Sequence, residues 1–139
     1  MKSKEVKEFG EEEATYELEK GYKKAEKILD NEDKMERFLN RLENKLKKVP
    51  VAGDALSMIP VMISMLRSYF KKEYKDIPVG TLIALISGLL YWLTPADAIP
   101  DFLPVIGYID DATVIGVCLK LINDDLKDYK KWRDKKDSD

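Results

Sequence analysis

Residues 79–93 of the chain read VGTLIALISGLLYWL, a run without a single charged side chain. Apolar side chains would occupy nearly every face of a helix formed over this run. A helix that is hydrophobic all round lies either at the centre of a helical bundle or in a membrane. The run therefore predicts a central helix, and the remaining segments must be arranged around it.

Charged segments precede this apolar run. Within residues 1–48 apolar residues recur at steps of three and four, with charged residues between them, a pattern typical of amphipathic helices. The pattern predicts one helix from Glu11 to about Leu29, a capped break at residues 30–33, and a second helix that ends before Pro50. The two predicted core stripes are Ala14, Leu18, Tyr22, Ala25 and Leu29, and then Met35, Phe38, Leu39, Leu42 and Leu46.

The second half of the chain predicts three more helices, one of which is the central run. A helix is expected from an N-cap at Asp54 to about Tyr74, in which Pro60 either causes a kink or marks a restart. The last helix is expected from about Asp111 to Lys131, and residues 135–139 form a solvated tail. Its core stripe consists of Ile115, Cys118, Leu119, Ile122, Leu126 and Tyr129. The prediction is an all-α fold, a compact irregular bundle of about five helices.

A chain of 139 residues is the size of one domain. We expect residues 1–139 to form that domain, with charged amphipathic helices over 1–48, a core over 49–134 and the tail. The net charge of −2 and the isoelectric point near 5.4 give no basis for nucleic-acid binding. The absence of histidine excludes His-based catalysis and the usual zinc sites. We therefore predict a protein that is not an enzyme and binds no nucleic acid.

Compartment and redox chemistry follow from two further features. The lone Cys118 cannot form an internal disulfide, and its apolar helical context predicts a buried, inert thiol. The N-terminus begins Met-Lys-Ser-Lys-Glu and has no apolar signal-peptide core, so we expect the chain to stay in the compartment in which it is made. The expected location is cytoplasmic, with association to a membrane as the alternative.

Four carboxylates follow the apolar run in a segment rich in proline. Residues 94–111 read TPADAIPDFLPVIGYIDD, which places Asp97, Asp101, Asp110 and Asp111 in apolar surroundings. Buried carboxylates are costly unless they are capped, paired or bound to a metal. A turn held by proline and glycine would preorganise them. Oxygen ligands without histidine or cysteine suit Ca²⁺ or Mg²⁺, so the four aspartates are a candidate site for a divalent cation.

Simpler roles for the same carboxylates stay open. Asp97 falls three residues after Thr94, as in a capping box, and Asp110 or Asp111 would cap the last helix. Asp101 would accept hydrogen bonds from backbone N–H groups of the turn. The acidic turn would alternatively meet a basic surface on a partner protein. No cofactor is required by any of these interpretations.

The same segment resembles the signature of the YkvA-like family, a bacterial domain of unknown function. The pattern P-x-D-x-I-P-D-x-x-P-x-x-G-x-x-D-D is filled at every fixed position, by Pro95, Asp97, Ile99, Pro100, Asp101, Pro104, Gly107, Asp110 and Asp111. The signature covers residues 79–116, and the wider segment 49–134 resembles the longer members. The resemblance implies a small helical protein, with membrane association as one expectation and no established activity.

A soluble bundle is favoured over membrane contact, and the membrane alternative takes two forms. Ile77–Leu93 is uncharged and close to the shortest length that spans a bilayer core of about 30 Å, and Phe102–Leu119 would be its partner in a hairpin. Asp110 and Asp111 interrupt that partner, and charges at bilayer depth are expensive. Association with a membrane surface is favoured over the hairpin. The cations proposed to face the headgroups are Arg67, Lys71, Lys72 and Lys75.

The leading functional prediction is a non-enzymatic accessory or interaction module acting through an unknown protein partner or a membrane surface. A divalent-cation-binding protein and a small integral membrane hairpin are the alternatives.

Overall fold

The computed structural model describes residues 2–93 and 111–138. These ranges contain six α-helices and no strand. The helices are α1 (Lys2–Lys20), α2 (Tyr22–Leu29), α3 (Glu32–Lys48), α4 (Ile59–Phe70), α5 (Val79–Leu93) and α6 (Asp111–Ser138), with a short 3₁₀ helix at Leu56–Met58 before α4. The predicted all-α bundle is confirmed, with six helices where about five were expected.

Helix α5 lies at the centre of the bundle, as its sequence predicts. It contacts every other α-helix of the described chain. The side chains on all its faces are buried because neighbours surround it; they are Leu82, Ala84, Leu85, Ile86, Ser87, Leu89, Leu90, Tyr91 and Trp92. Complete burial of each large apolar side chain contributes roughly 1.5–3 kcal/mol, so this helix contributes substantially to core stability.

The prediction of one continuous helix from Glu11 to Leu29 is wrong, because the segment is divided into α1 and α2 at Gly21. The N–H of Gly21 donates to the Leu18 carbonyl at 3.1 Å, and the Ser87 hydroxyl of α5 donates to the same carbonyl. A Cβ at residue 21 would collide with Ser87 Oγ. The absence of a side chain therefore lets the chain bend against α5.

The break before α3 is confirmed. Asn31 has an extended backbone, and its side-chain oxygen accepts a hydrogen bond from the Lys34 N–H at 3.0 Å. An N-cap of this kind contributes about 1 kcal/mol. Because only Asp30 and Asn31 separate the two helices, α3 folds back against α2.

Helix α4 starts later than the predicted cap at Asp54. Residues 56–58 form the 3₁₀ turn, and Pro60 lies in the first turn of α4. Proline fits that position because its missing N–H would have no partner within the helix. Pro60 therefore marks a restart of the helix rather than a kink. Asp54 does not cap α4; its backbone carbonyl accepts a hydrogen bond from Ser57 Oγ at 3.1 Å.

Helix α6 extends beyond the predicted end at Lys131, through Ser138, so most of the expected tail is helical. Its last turns pack beside α4 and the segment after it. The Trp132 ring lies 5.0 Å from the ring of Tyr74, and Lys136 reaches Glu73 at 3.4 Å. Tyr129 is buried, and its hydroxyl is hydrogen-bonded to those of Ser64 and Ser68. These contacts hold the end of the helix.

Candidate functional site

The predicted aspartate site lies almost wholly outside the described residues. The site residues outside the described ranges are Pro95, Asp97, Pro100, Asp101, Pro104, Gly107 and Asp110. Asp111 is the first residue of α6. Within the described ranges no group of three or more Cys, Asp or Glu residues is placed to hold a metal ion. The divalent-cation site at Asp97, Asp101, Asp110 and Asp111 therefore stays a prediction.

A cation from α3 contacts the carboxyl end of α5, the helix that precedes this segment in the sequence. Lys45 on α3 donates a hydrogen bond to the backbone carbonyl of Trp92, and its ammonium nitrogen lies 4.6 Å from the centre of the indole ring. Carbonyl groups at a helix C-terminus attract positive charge. Lys45 therefore fixes the end of α5 next to the acidic signature segment.

Cys118 lies in the core between α5 and α6, as predicted. Its thiol donates to the Ala84 carbonyl at 3.2 Å. Burial raises the pKa of this thiol to about 12, against a smaller lowering by a backbone hydrogen bond at Gly88. A thiol that stays protonated at neutral pH is a poor nucleophile. Cys118 is thus a packing residue.

The cations proposed from sequence to face lipid headgroups are only partly available. Arg67 is occupied by an ion pair, in which its Nη2 lies 2.5 Å from Glu43 Oε1. Lys71, Lys72 and Lys75 are exposed at the end of α4. Lys72 and Lys75 line a groove of about 330 Å³, which they share with the carboxylate of Glu32. This surface therefore has mixed charge.

A larger and more uniformly charged groove lies between α2 and α3. It encloses about 670 Å³, within the range typical of ligand sites. Its described lining contains seven cationic side chains and no carboxylate; the cations are Lys20, Lys23, Lys24, Lys27, Lys34, Arg37 and Arg41. We call this surface the basic groove. Its apolar floor is formed by Ile28, Phe38 and Leu90, one residue each from α2, α3 and α5.

The cations of the basic groove form two rows. One row consists of Lys20, the last residue of α1, with Lys23, Lys24 and Lys27 of α2, and the other follows α3 from Lys34 to Arg41. In the α3 row Lys34, Arg37 and Arg41 are spaced by three and four residues, so they share a helix face. All seven are exposed. The tight connection between α2 and α3 brings the two faces together across the groove.

Between the residues that the structure describes, few contacts neutralise these charges. Lys20 pairs with Glu17, with 3.0 Å between Nζ and Oε1. Arg37 Nε donates to the backbone carbonyl of Asp33 at 3.3 Å, a bond that leaves the positive charge in place. The basic groove therefore presents a concentrated positive surface on a chain whose net charge is −2.

Sequence reasoning missed the basic groove because it weighed the net charge of the whole chain. Residues 20–41 contain seven cations but also five carboxylates, so the excess of positive charge is small when all charges of the segment are added. A helical projection of α3 separates the two signs of charge: Arg37 and Arg41 lie on one flank of the core stripe, whereas Glu36 lies on the other. The periodicity was therefore an available signal, although the meeting of the two faces was not.

Among the described residues no helix combines the length and the apolar character that a membrane crossing requires.

Comparisons with known proteins place the chain next to uncharacterised relatives. A family described as a protein of unknown function (DUF1232) matches residues 81–117. The uncharacterized membrane protein YkvA of Bacillus subtilis (strain 168) is 40% identical over 75 residues, which are 54% of this chain and 71% of that protein. No solved structure matches. The family match covers most of α5 and the start of α6, and all seven cations of the basic groove lie outside it.

Proposed function

The chain belongs to the YkvA-like family, whose function is unknown, and we propose that it is a non-enzymatic accessory module that docks on anionic membrane surfaces. The observation that carries this proposal is the basic groove, in which seven exposed cations converge without a carboxylate in the described lining. The groove is the contact surface, and the helical bundle is the scaffold that holds it.

The contributions of the individual cations to membrane association add. Each Lys or Arg close to an anionic leaflet contributes about 1 kcal/mol to association, within a Debye length of about 8 Å at physiological salt. Seven cations on one face can thus hold the protein at a membrane despite its negative net charge. The groove is also built from adjacent helices, so the backbone positions that carry its charges are fixed relative to one another.

The similarity to a protein named a membrane protein also supports docking on a membrane. It favours the membrane-associated alternative over the cytoplasmic location expected from the N-terminus. Docking at a surface needs no spanning helix. A basic groove would also accept an acidic protein partner, and the relative's name is the reason to prefer the membrane.

The two other functional predictions stay predictions. The divalent-cation site depends on residues outside the described ranges. The integral hairpin of Ile77–Leu93 with Phe102–Leu119 likewise includes much of that segment.

Binding to lipid vesicles tests the proposal directly. The full chain is sedimented with vesicles of phosphatidylcholine containing phosphatidylglycerol, and with phosphatidylcholine alone. We expect binding only to the anionic vesicles, and we expect added salt to weaken it. The triple variant Lys24→Gln, Arg37→Gln, Arg41→Gln should bind about a hundredfold more weakly, from about 1 kcal/mol per lost charge.

The matched control removes three cations elsewhere. Lys47→Gln, Lys127→Gln and Lys131→Gln change the net charge equally, at exposed positions that do not line the basic groove. An equal loss of binding in both triple variants would contradict a specific contact surface. Absence of binding by the unaltered chain would reject membrane docking.

Fractionation of cells separates docking from insertion. A docked protein should leave the membranes in a high-salt wash, since screening removes the attraction. Release only by detergent would contradict the proposal and favour the hairpin.

A further inference from the structure

We infer that the basic groove recognises two linked phosphate groups on one lipid headgroup, rather than diffuse negative charge. This inference rests on the proposed membrane docking and adds a ligand class to it. The cations of the basic groove lie outside the residues that match the family, so the family match does not imply this inference.

The two-row arrangement is the first observation. The α3 row, from Lys34 to Arg41, extends over about 10 Å, since it covers two helical turns of about 5.4 Å each. An anion lying along the groove would meet cations from α2 on one side and from α3 on the other. Two phosphates separated by about one helical turn would each be contacted from both rows. A single phosphate would use only part of the groove.

The chemistry of the α3 row is the second observation. Arg37 and Arg41 are four residues apart and therefore lie on one face, one turn from each other. A guanidinium group offers a planar set of donors that matches phosphate oxygens in pairs, which an ammonium group cannot do. Two arginines at this spacing suit two phosphates, while the lysines opposite supply less directional charge.

The groove floor supports a lipid as the source of these phosphates. Ile28, Phe38 and Leu90 are apolar and largely buried, so the floor beneath the cations is apolar. The carbon atoms of the glycerol that links two headgroup phosphates can rest on such a floor while the acyl chains of the lipid remain in the bilayer. A free polyphosphate has no carbon linker to place there.

The test compares lipids at equal surface charge. One set of vesicles contains phosphatidylglycerol, with one phosphate per headgroup. The other contains cardiolipin, with two, at half the molar content. We expect the full chain to partition at least about tenfold more strongly to cardiolipin, as binding of paired headgroup phosphates by a basic pocket predicts. Equal partition would overturn the inference and leave membrane docking standing, whereas binding to neither set would overturn both.

A variant that conserves charge isolates the recognition step. Arg37→Lys with Arg41→Lys keeps every positive charge but removes the paired donors. We expect the ratio of partition to cardiolipin over partition to phosphatidylglycerol to fall several-fold, because the charges that attract both lipids remain. Arg133→Lys, at the other end of the chain, is the matched control and should keep the preference. A preference that survives the double change would overturn the role of the two arginines.

Two soluble probes identify other sources of phosphate. Tripolyphosphate should raise the melting temperature little compared with cardiolipin vesicles. A large shift by tripolyphosphate without any cardiolipin preference would assign the groove to a free polyanion and overturn the lipid source. The second probe is a single-stranded oligouridylate. Suppose that it binds more strongly than cardiolipin and that the Arg37→Lys, Arg41→Lys variant loses this binding. That result would overturn the lipid source and assign the groove to RNA.

Discussion

Cys118 on α6 fills the space that Gly88 leaves open on α5. A Cβ at residue 88 would lie 2.6 Å from Cys118 Sγ and 3.1 Å from Cys118 Cβ. The two helices therefore approach each other at a point where one of them has no side chain. The contact joins the central helix to the helix that follows the acidic signature segment.

Replacement of Gly88 by alanine should destabilise the protein. The added methyl group overpacks the core, at a cost of about 1–3 kcal/mol, against a gain of about 1 kcal/mol in helix propensity. Gly80→Ala on the same helix is the control, because nothing lies within 4 Å of a Cβ there. It should leave the free energy of unfolding in urea unchanged or raise it.

Combining Gly88→Ala with Cys118→Ala should recover part of the loss, since the nearest clashing atom is the sulfur. Equal stability of Gly88→Ala and Gly80→Ala would show that the helices can separate without cost.

The Cys118 thiol should resist modification as long as the protein is folded. Burial raises its pKa from the ordinary 9.0 to about 12. At pH 8 we expect a disulfide reagent to react at a rate that rises with urea in step with unfolding. Rapid reaction in buffer alone would mean that the space between α5 and α6 opens readily.

The same shift predicts a pH dependence at alkaline pH. Because the folded state holds the thiol proton more tightly, its contribution to stability is complete below pH 9 and is lost as the pH rises toward 12. The free energy of unfolding should fall by up to about 1.4 kcal/mol per pH unit from this group. Cys118→Ala should lack that part of the slope, while Tyr74, whose pKa burial also raises, contributes equally in both proteins. Burial raises the pKa of Tyr22 as well, but the charge of Cys118 adds to that rise, so the Tyr22 contribution should be smaller in the variant.

Lys72 adopts a left-handed backbone conformation, with φ of 65°, directly after the C-cap of α4. The Glu73 N–H donates to the Ser68 carbonyl at 2.9 Å, and the Lys72 N–H to the Tyr69 carbonyl at 3.0 Å, as in a Schellman motif. Glycine is favoured at this position, so Lys72→Gly should raise the free energy of unfolding by about 0.5–1 kcal/mol.

The neighbouring residue provides a control with the opposite sign. Lys71 has φ of −78°, a helical value, so Lys71→Gly should lower stability by about 0.5–1 kcal/mol. Both variants remove one exposed lysine, so charge cannot explain a difference between them. A loss of stability in both would argue against strain at Lys72.

The divalent-cation site predicted from sequence requires that Ca²⁺ or Mg²⁺ at millimolar concentration raise the melting temperature, since a ligand that binds only the folded state stabilises it. Asp101→Ala should abolish the shift. Asp124→Ala, an exposed carboxylate on α6, should preserve it. The absence of any shift in the unaltered chain would reject the site and favour helix capping by these aspartates.

Much of the architecture was predictable because helical periodicity is a local property. Most of the predicted core stripes of α2, α3 and α6 are buried, from Ala25 and Leu42 to Tyr129. The members that are only partly buried are Tyr22, Leu29, Leu46 and Leu119. The division at Gly21 was not predictable, because the helical pattern continues through it and the bend depends on Ser87, far away in the chain. The helical end of α6 depends in the same way on contacts with Glu73 and Tyr74.

The amino-acid sequence by itself determined that the chain is helical, that residues 79–93 form the central helix, and that the chain resembles the YkvA-like family. Composition and periodicity suffice for these conclusions because each depends on neighbours along the chain. Only the tertiary structure decided that the cationic faces of α2 and α3 meet in one groove over Ile28, Phe38 and Leu90. The physical reason is that helical periodicity places charges on a face, whereas long-range packing determines which faces come together.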